Sequence, residues 1–316
     1  MIVTSCPLRV SLVGGSTDHP RFIERYGHGS VISFPSSLRT YVSVHQDVFG
    51  TNSIDHNYNI NYSKRETVKR IDEIQNELVR YCFEYLDVRQ INCTLTSDIY
   101  SVGSGLAASS AYLQALIKSI YVMREKSISG FEVCKIAEQI ERRLNPLVGQ
   151  QDFYGSLGGF KRINFFKDRD PEVIFLSTKV FNDMDMHLIY TGVLRNSTSV
   201  LESLDIEKSV TMLDDVIQLE QAINQTDITW FNEIINKSWA TKKNTSVLIC
   251  ENPVLSSMDD LLSKDKQVLS HKLCGAGNGG YFLVFTRSGA NLSTSYPHLT
   301  IKQISISETG LKYIQL

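Results

Sequence analysis

The residues with the most specific chemistry lie in a loop rich in glycine and serine at Ser101–Ala111 (SVGSGLAASSA). Glycines allow the backbone to turn tightly and to come close to a ligand. The helix predicted after the loop would begin with unpaired amide N–H groups and the positive end of its dipole, which together bind anions. The hydroxyls of Ser109 and Ser110 add hydrogen-bond donors, or a ligand for Mg²⁺ bound to a phosphate. This pattern indicates a phosphate site.

Local pattern alone leaves other interpretations of the loop open. The Gly-Lys-Ser/Thr ending of a P-loop is missing. Gly103–Ala108 fits the dinucleotide pattern GxGxxA, but no strand with an acidic residue follows it, as a Rossmann fold requires. A helix start capped by serines would have the same composition. A second run, Gly275–Gly280, matches GxGxxG, but a strand pattern follows it, so a hairpin turn would explain it equally well.

Two carboxylates lie where they could serve such a site. Asp152 is in Gly149–Gly155 (GQQDFYG), and a carboxylate in this loop could accept a proton from a substrate hydroxyl. Glu141 ends the preceding predicted helix, eleven residues earlier, and could reach the same site as a metal ligand. The alternatives are a turn or cap residue for Asp152 and a solvent-exposed helix face for Glu141.

A polar turn, Gly14–Asp18, follows the first predicted strand. Thr17 and Asp18 have short polar side chains, which at a strand end are well placed to bind sugar hydroxyls. An ordinary turn that caps the next helix would use the same residues.

The elements that must position these residues follow from the spacing of apolar side chains. Strand patterns occupy residues 2–13, 30–48, 91–95, 186–191, 268–274, 280–286 and 299–307, and helical spacing occupies residues 64–86, 106–124, 131–144 and most of 199–265. Strands and helices are mixed without a regular βαβ alternation, which favours an α+β fold over a doubly wound sheet. We place a domain boundary near residue 178, giving domains 1–178 and 179–316.

Composition excludes several functional classes. The 316 residues carry a net charge of −2 with no basic block, which argues against nucleic acid or an anionic membrane as a partner. Six cysteines without a CxxC pair are typical of core thiols in a reducing compartment. No apolar run approaches the ~18 residues of a membrane span, and the N-terminal pattern is that of a strand and not of a signal peptide. We therefore expect a cytoplasmic protein.

Four segments, in this order, resemble the motifs of the GHMP kinases, a family that includes galactokinase and the homoserine, mevalonate and phosphomevalonate kinases. They are PLRVSLVGGSTD (7–18), SVGSGLAASSA (101–111), VGQQDFYGSLGGF (148–160) and KLCGAGNGGYF (272–282). Within the family, the GGxTD and GxQD forms resemble sugar-1-kinases of the D-glycero-D-manno-heptose 7-phosphate kinase group. So do TGVLRNST (191–198) and SWATKKNTS (238–246).

The resemblance implies an α+β, two-domain GHMP kinase fold with ATP in the cleft between the domains. The N-terminal domain would be like domain 2 of ribosomal protein S5, and the C-terminal domain would be ferredoxin-like. The implied activity is ATP-dependent transfer of the γ-phosphoryl group to a hydroxyl, the anomeric one by preference, of a sugar or sugar phosphate. D-glycero-D-manno-heptose 7-phosphate is the first candidate substrate. The alternatives are a non-catalytic sugar/ATP sensor on the same fold and a kinase for a non-sugar alcohol.

The resemblance also implies roles for individual residues. Asp152 would be catalytic, and Ser109 with Glu141 would hold Mg²⁺. The residues that would bind ATP are Ser101, Gly103, Ser104, Gly105, Leu106, Ala107, Ala108, Ser109 and Ser110. The residues that would bind the sugar are Arg9, Gly14, Gly15, Thr17, Asp18, Arg195, as a candidate for the 7-phosphate, and Gly277. We expect no partner beyond ATP and the sugar, apart from a second copy if the chain is a homodimer.

Several positions depart from the family pattern, among them Ser101-Val102 in place of the usual proline pair. Ala107 and Ala108 replace the usual Gly and Ser, which restricts the backbone and removes one hydroxyl. Asn278 replaces a glycine in the last motif. Because Asn tolerates a positive φ better than most residues, we expect that turn to survive.

Overall fold

The computed structural model describes residues 1–46, 58–194 and 197–316. The described residues form twelve strands, which are β1 (Ile2–Val13), β2 (His28–His45), β3 (Tyr58–Asn61), β4 (Arg65–Val68), β5 (Ile91–Ser97), β6 (Lys161–Phe166), β7 (Glu172–Phe175), β8 (Met184–Tyr190), β9 (Val268–Leu273), β10 (Tyr281–Arg287), β11 (Ile301–Ile304) and β12 (Lys312–Gln315).

Ten helices accompany the strands in the same part of the chain. They are α1 (Pro20–Tyr26), α2 (Glu77–Leu86), α3 (Ala108–Met123), α4 (Gly130–Glu141), α5 (Gln151–Tyr154), α6 (Ser197–Ser203), α7 (Met212–Gln225), α8 (Ile228–Lys243), α9 (Pro253–Lys264) and α10 (Leu292–Ser295). Helices and mostly antiparallel strands are interspersed, so the predicted α+β class is confirmed.

The strands form two sheets. The first has the order β12-β1-β2-β5-β3-β4, with β6 and β7 extending from β2, and the pairs are antiparallel except β3 with β5. The second has the order β11-β8-β10-β9 and is antiparallel throughout. Every strand of the first sheet except β12 precedes the predicted boundary near residue 178, and β12 returns to it from the far end of the chain. The boundary itself stays a prediction.

Helix α3 lies at the centre of the first half of the chain. Leu113, Leu116, Ile117 and Ile120 on α3 are fully buried, and the helix packs on β1 and β2. Helices α7 and α8 pack on one another, and α7 also touches β1 and β2 while α8 touches β9. These contacts fix both sheets around one cleft, where the candidate site lies.

One predicted helix is wrong over its first part. The spacing of apolar residues predicted a helix over 64–86, but Arg65–Val68 is a strand paired with Tyr58–Asn61, and the helix begins only at Glu77. Asn76 begins it by accepting a hydrogen bond from the amide of Val79. Tertiary pairing with a strand before residue 64 therefore overrides a local helical spacing.

No helix in the described ranges is both long and apolar enough to cross a lipid bilayer.

Candidate active site

A cavity of about 460 Å³ lies in the cleft between the two sheets. Both halves of the chain line it. Its polar lining residues include Arg9, Ser11, Ser16, Asp18, His19, Ser101, Ser104, Ser109, Glu141, Gln151, Asp152, Lys242 and Lys272, and the small residues Gly103, Gly105, Ala107 and Ala108 lie among them. Apolar side chains line the remainder, among them Leu78, Leu95, Val102, Tyr112 and Val148. A cavity of this size and mixed lining is typical of a small-molecule site.

The loop before α3 owes its shape to residues with positive φ. Gly103 and Gly105 have φ of 64° and 80°. Ala107 stands at the start of α3 with φ 57°, in the left-handed region that alanine adopts only at a cost. No side chain caps this helix start, so the backbone amides of the first turn face the cavity without a competing cap. This geometry suits an anion.

The two glycine runs pack backbone to backbone. A Cβ on Gly105 would lie 2.5 Å from the carbonyl oxygen of Cys274, and a Cβ on Gly280 would lie 2.4 Å from that of Ser104. Glycine is therefore required at both positions for the loop to sit against the second run. Asn278, with φ 63°, keeps its turn as expected, and its amide donates to the carbonyl of Ile249.

Glu141 closes the loop side of the cavity. Its two carboxylate oxygens accept hydrogen bonds from the hydroxyls of Ser109, at 2.7 Å, and Ser110, at 2.6 Å. Burial raises the pKa of this carboxyl to about 7, against the lowering effect of the two hydroxyls. The nearby charge of Asp152 raises this pKa further.

Asp152 and Arg9 form an ion pair in the cavity wall. Arg9 is almost fully buried, its backbone amide donates to the carbonyl of Leu106, and one of its guanidinium nitrogens reaches the carbonyl of Gly105 at 3.5 Å. Asp152 stands in the first turn of the short helix α5. Arg9 thus links the strand β1, the glycine loop and the carboxylate.

Asp18 is buried behind Asp152. Its carboxylate accepts from the amide of Gln151 at 3.0 Å and from the side-chain Nε2 of Gln151 at 2.8 Å. Burial, and next the charge of Asp152, raise the pKa of Asp18 to about 6. The Asp18 carboxylate therefore orients Gln151 and α5 and also reaches the cavity.

Thr17 and Gly14 do not line the cavity, contrary to the sugar-binding role implied for them. The Thr17 hydroxyl is fully buried, donates to the carbonyls of Gly14 and Ser30 and accepts from the amide of Ser30. Gly14 has φ 80°, and a Cβ there would lie 2.0 Å from the carbonyl oxygen of Ser30. The Thr17 hydroxyl is already bonded to the backbone, and there is no room for a side chain at Gly14. Both residues therefore shape the turn that carries Asp18.

The other predicted residues fall into four groups. Leu106 and Ser110 lie behind the lining, Leu106 in the core and Ser110 bonded to Glu141. Gly277 packs on Ile249, where a Cβ would lie 2.9 Å from a methyl carbon. Arg195 lies outside the described residues. Gly15 is not among the lining residues, but a Cβ there would have Lys242 Nζ at 3.6 Å and Ser11 Oγ at 3.9 Å as neighbours.

Two lysines of the cavity were missed by the sequence analysis. Lys272 on β9 is buried and donates to the backbone carbonyls of Ser11, at 2.9 Å, and Leu12, at 2.5 Å, on β1. Burial, and next the charge of Lys242, lower its pKa to about 7. Lys242 donates to the carbonyl of Gly275 at 2.6 Å. The only sequence signal was the position of both lysines within segments that resemble the family.

Comparisons with known proteins find similar kinases. No protein-family model matches the chain. It is 27% identical over 315 residues to the D-glycero-alpha-D-manno-heptose 7-phosphate kinase of Campylobacter jejuni subsp. jejuni serotype O:2, covering 90% of this chain and 89% of that protein. A D-glycero-D-manno-heptose 1-phosphate kinase structure from Bacteroides thetaiotaomicron matches with TM-score 0.77 and 17% identity over 100% and 99% of the two chains.

A more distant structure shares the same fold. The mevalonate kinase of Methanococcus jannaschii matches with TM-score 0.69 and 14% identity, over 97% of this chain and 98% of the other. The predicted fold is therefore confirmed across kinases whose names specify different acceptors. The chain therefore has the fold that these kinases share, and its four motifs resemble those of the GHMP kinases.

Proposed function

We propose that this protein is an ATP-dependent sugar kinase that transfers the γ-phosphoryl group to a hydroxyl of a sugar or sugar phosphate. D-glycero-D-manno-heptose 7-phosphate is the first candidate acceptor, because a relative of 27% identity is named for that substrate. The observation that supports the proposal is that the predicted phosphate-binding and catalytic residues line a single cavity. The glycine loop, Glu141 and the Arg9–Asp152 pair all line it, so a phosphate site and a carboxylate that can take a proton face the same space.

Asp152 is the proposed catalytic residue. It orients the acceptor hydroxyl and takes its proton as the hydroxyl attacks the γ-phosphorus in line. An anomeric hydroxyl is more acidic than an ordinary alcohol, which eases this step. Arg9 holds the carboxylate in place and balances its charge, while the amides at the start of α3 stabilise the phosphate charge.

Ser109 and Glu141 are the residues that would hold Mg²⁺. No group of three His, Cys, Asp or Glu side chains in the described ranges could hold a metal alone. Mg²⁺ needs no such group, because it is usually bound through one or two carboxylates together with substrate phosphates and waters. The buried carboxylate of Glu141, hydrogen-bonded to Ser109, fits that role. Bound Mg²⁺ would neutralise charge on the transferred phosphoryl group.

A coupled ADP-release assay tests the proposal with the purified protein, ATP and Mg²⁺. Heptose 7-phosphate, mannose, fucose and galactose form the sugar panel, and mevalonate represents a non-sugar alcohol. We expect turnover with at least one sugar, and the highest kcat/KM with heptose 7-phosphate. Turnover with mevalonate alone would assign a non-sugar kinase. ATP binding without turnover on any acceptor would instead indicate a sugar/ATP sensor.

The same assay should depend on the metal. We expect EDTA to abolish turnover and added Mg²⁺ to restore it. Full activity after removal of all divalent cations would exclude the metal role of Ser109 and Glu141.

A further inference from the structure

Several buried polar atoms of the cavity have no hydrogen-bond partner among the described residues. They are Arg9 Nε, Ser11 Oγ, His19 Nε2 and Gln151 Oε1, and all four residues line the cavity. Buried polar atoms in native proteins are nearly always paired, so each exception requires an explanation. A bound ligand that pairs with them would provide one.

His19 is the most constrained of these residues. It is the residue before helix α1, is only 2% exposed and follows Asp18 directly. Its Nδ1 accepts a hydrogen bond from the backbone amide of Arg21 at 3.2 Å. Because Nδ1 acts as the acceptor, the proton of the neutral ring must be on Nε2.

The ring is also held neutral. Burial, followed by the positive charges of Arg21 and Arg142, lowers the pKa of His19 to about 4. At neutral pH the ring therefore carries one fixed N–H donor, at an atom that is buried and unpaired. A neutral donor of this kind suits a hydroxyl or ring oxygen of a sugar.

We propose that His19 is a specificity-determining residue that donates a hydrogen bond from Nε2 to an oxygen of the acceptor sugar. This inference rests on the proposed function, because it assigns one contact within the acceptor part of the same cavity. Ser11 Oγ, which is unpaired on the same cavity wall, is available for a neighbouring oxygen of the sugar.

The variant His19→Asn separates the proposed contact with the sugar from the capping of helix α1. Asparagine is a good residue before a helix, so its side-chain oxygen can still accept from the amide of Arg21, but its amide is too short to reach the position of Nε2. We expect KM for heptose 7-phosphate to rise about 3- to 10-fold, as for the loss of one neutral hydrogen bond. We expect kcat and KM for ATP to stay within about twofold.

Two further variants complete the design. His19→Gln places an amide donor near the position of Nε2 and should recover part of the lost affinity. Asn252→Ser changes the equivalent capping residue of α9, whose side chain accepts from Val254, and should leave KM unchanged. A fall in thermal midpoint with no change in the KM for sugar would give His19 a capping role only and would overturn the inference.

Acceptor analogues that each lack one hydroxyl identify the oxygen. One analogue should lose affinity for the wild-type protein and none for His19→Asn, because the two changes remove the same contact. Losses that are additive for every analogue would contradict the assignment.

Calorimetric titration of heptose 7-phosphate without ATP keeps the two proposals distinguishable. Sugar binding without turnover would reject the kinase proposal, and the ratio of Kd between wild type and His19→Asn would still decide the role of His19. Equal Kd values would overturn the inference while leaving the kinase proposal intact. No binding of any panel sugar by the wild-type protein would overturn both.

Discussion

The two sides of the cavity are built in different ways. On the loop side, Ser101–Ser109 is shaped by backbone conformation and by close contact with the second glycine run, and the Glu141 carboxylate already has two hydroxyl partners. On the acceptor side, which Arg9, Asp18, His19 and Asp152 form, side chains make the surface and several polar atoms are unpaired.

This difference suggests how the two ligands are recognised. Backbone amides and glycines select for charge and shape, which all nucleoside triphosphates share, so the loop side needs little variation between kinases. Unpaired side-chain donors select for the placement of individual oxygens, so the acceptor side determines which sugar binds. The following predictions test this division.

The largest effect is expected from Asp152→Asn. Loss of the carboxylate that we propose takes the proton should lower kcat by about 10²- to 10⁴-fold. ATP affinity, measured by calorimetry, should stay within about threefold, because Asp152 belongs to the acceptor side. Asp170→Asn, which changes an exposed carboxylate paired with Lys135, is the matched control. Equal turnover in Asp152→Asn and wild type would remove Asp152 from the mechanism.

The next effect concerns Gly105→Ala on the loop side. The new Cβ would meet the carbonyl of Cys274, and φ of 80° is unfavourable for alanine. We expect about 2–4 kcal/mol lower stability in urea unfolding and at least about tenfold weaker ATP binding. Gly289→Ala has φ 85° with open space around its Cβ, so it shares the strain but not the clash. Similar losses in both variants would show that backbone contact between the glycine runs is unimportant.

Glu141→Gln should separate metal binding from stability. The raised pKa of Glu141 means that its stabilising contribution is present below pH 4.5 and is lost as the pH rises through about 7. Glutamine removes this loss, so at pH 8 the variant should be about 1–3 kcal/mol more stable than wild type by thermal unfolding. Its Mg²⁺-dependent ATP affinity should fall about tenfold or more, because a charged ligand is removed.

Glu138→Gln is the control for Glu141→Gln, since Glu138 lies on the same helix and pairs with Arg142. It should change neither the Mg²⁺ dependence nor the response of stability between pH 4.5 and 7. If wild type and Glu141→Gln show the same pH dependence, the carboxyl does not titrate in this range.

The smallest effect is expected from Ala107→Gly. Glycine removes the strain of φ 57° but adds freedom to the unfolded chain, so the net gain should be about 0.5–1 kcal/mol. Ala108→Gly, one residue later and at the first residue of α3, should instead lose up to about 1 kcal/mol. Urea unfolding should therefore give stability changes of opposite sign for the two variants. This result would show that the backbone conformation of Ala107 lowers the stability of the protein.

Much of the fold followed from the spacing of apolar residues, because strands such as β1 and helices such as α3 bury one regular face. The structure of residues 64–68 did not follow from this spacing. Their strand pairs with Tyr58–Asn61, and a local helical pattern does not take such a partner into account. Thr17 was placed in the sugar site because a polar residue in a turn can face either a ligand or its own backbone. Only the structure shows that its hydroxyl bonds to the backbone.

The two lysines of the cavity illustrate the other limit. Lysine is usually exposed, so nothing local indicates that Lys272 is buried. Its ammonium donates to the carbonyls of Ser11 and Leu12, some 260 residues earlier in the chain. Sequence spacing carries no information about such a distant contact. His19 was missed for a similar reason, because its unpaired nitrogen is visible only in three dimensions.

The pairing of β12 with β1 has a consequence for folding during synthesis. Residues 2–5 leave the ribosome before their partners at 312–315, which emerge only after the second sheet has been translated. Strand β1 can pair early with β2 on one side, but the backbone hydrogen-bonding groups of its other edge stay unpaired until β12 is made. Such late, long-range closure is slow and exposes the nascent chain to aggregation. Arg9 of the candidate active site lies on this same strand, so the site is carried by a strand whose second edge is paired only after the second sheet has been made.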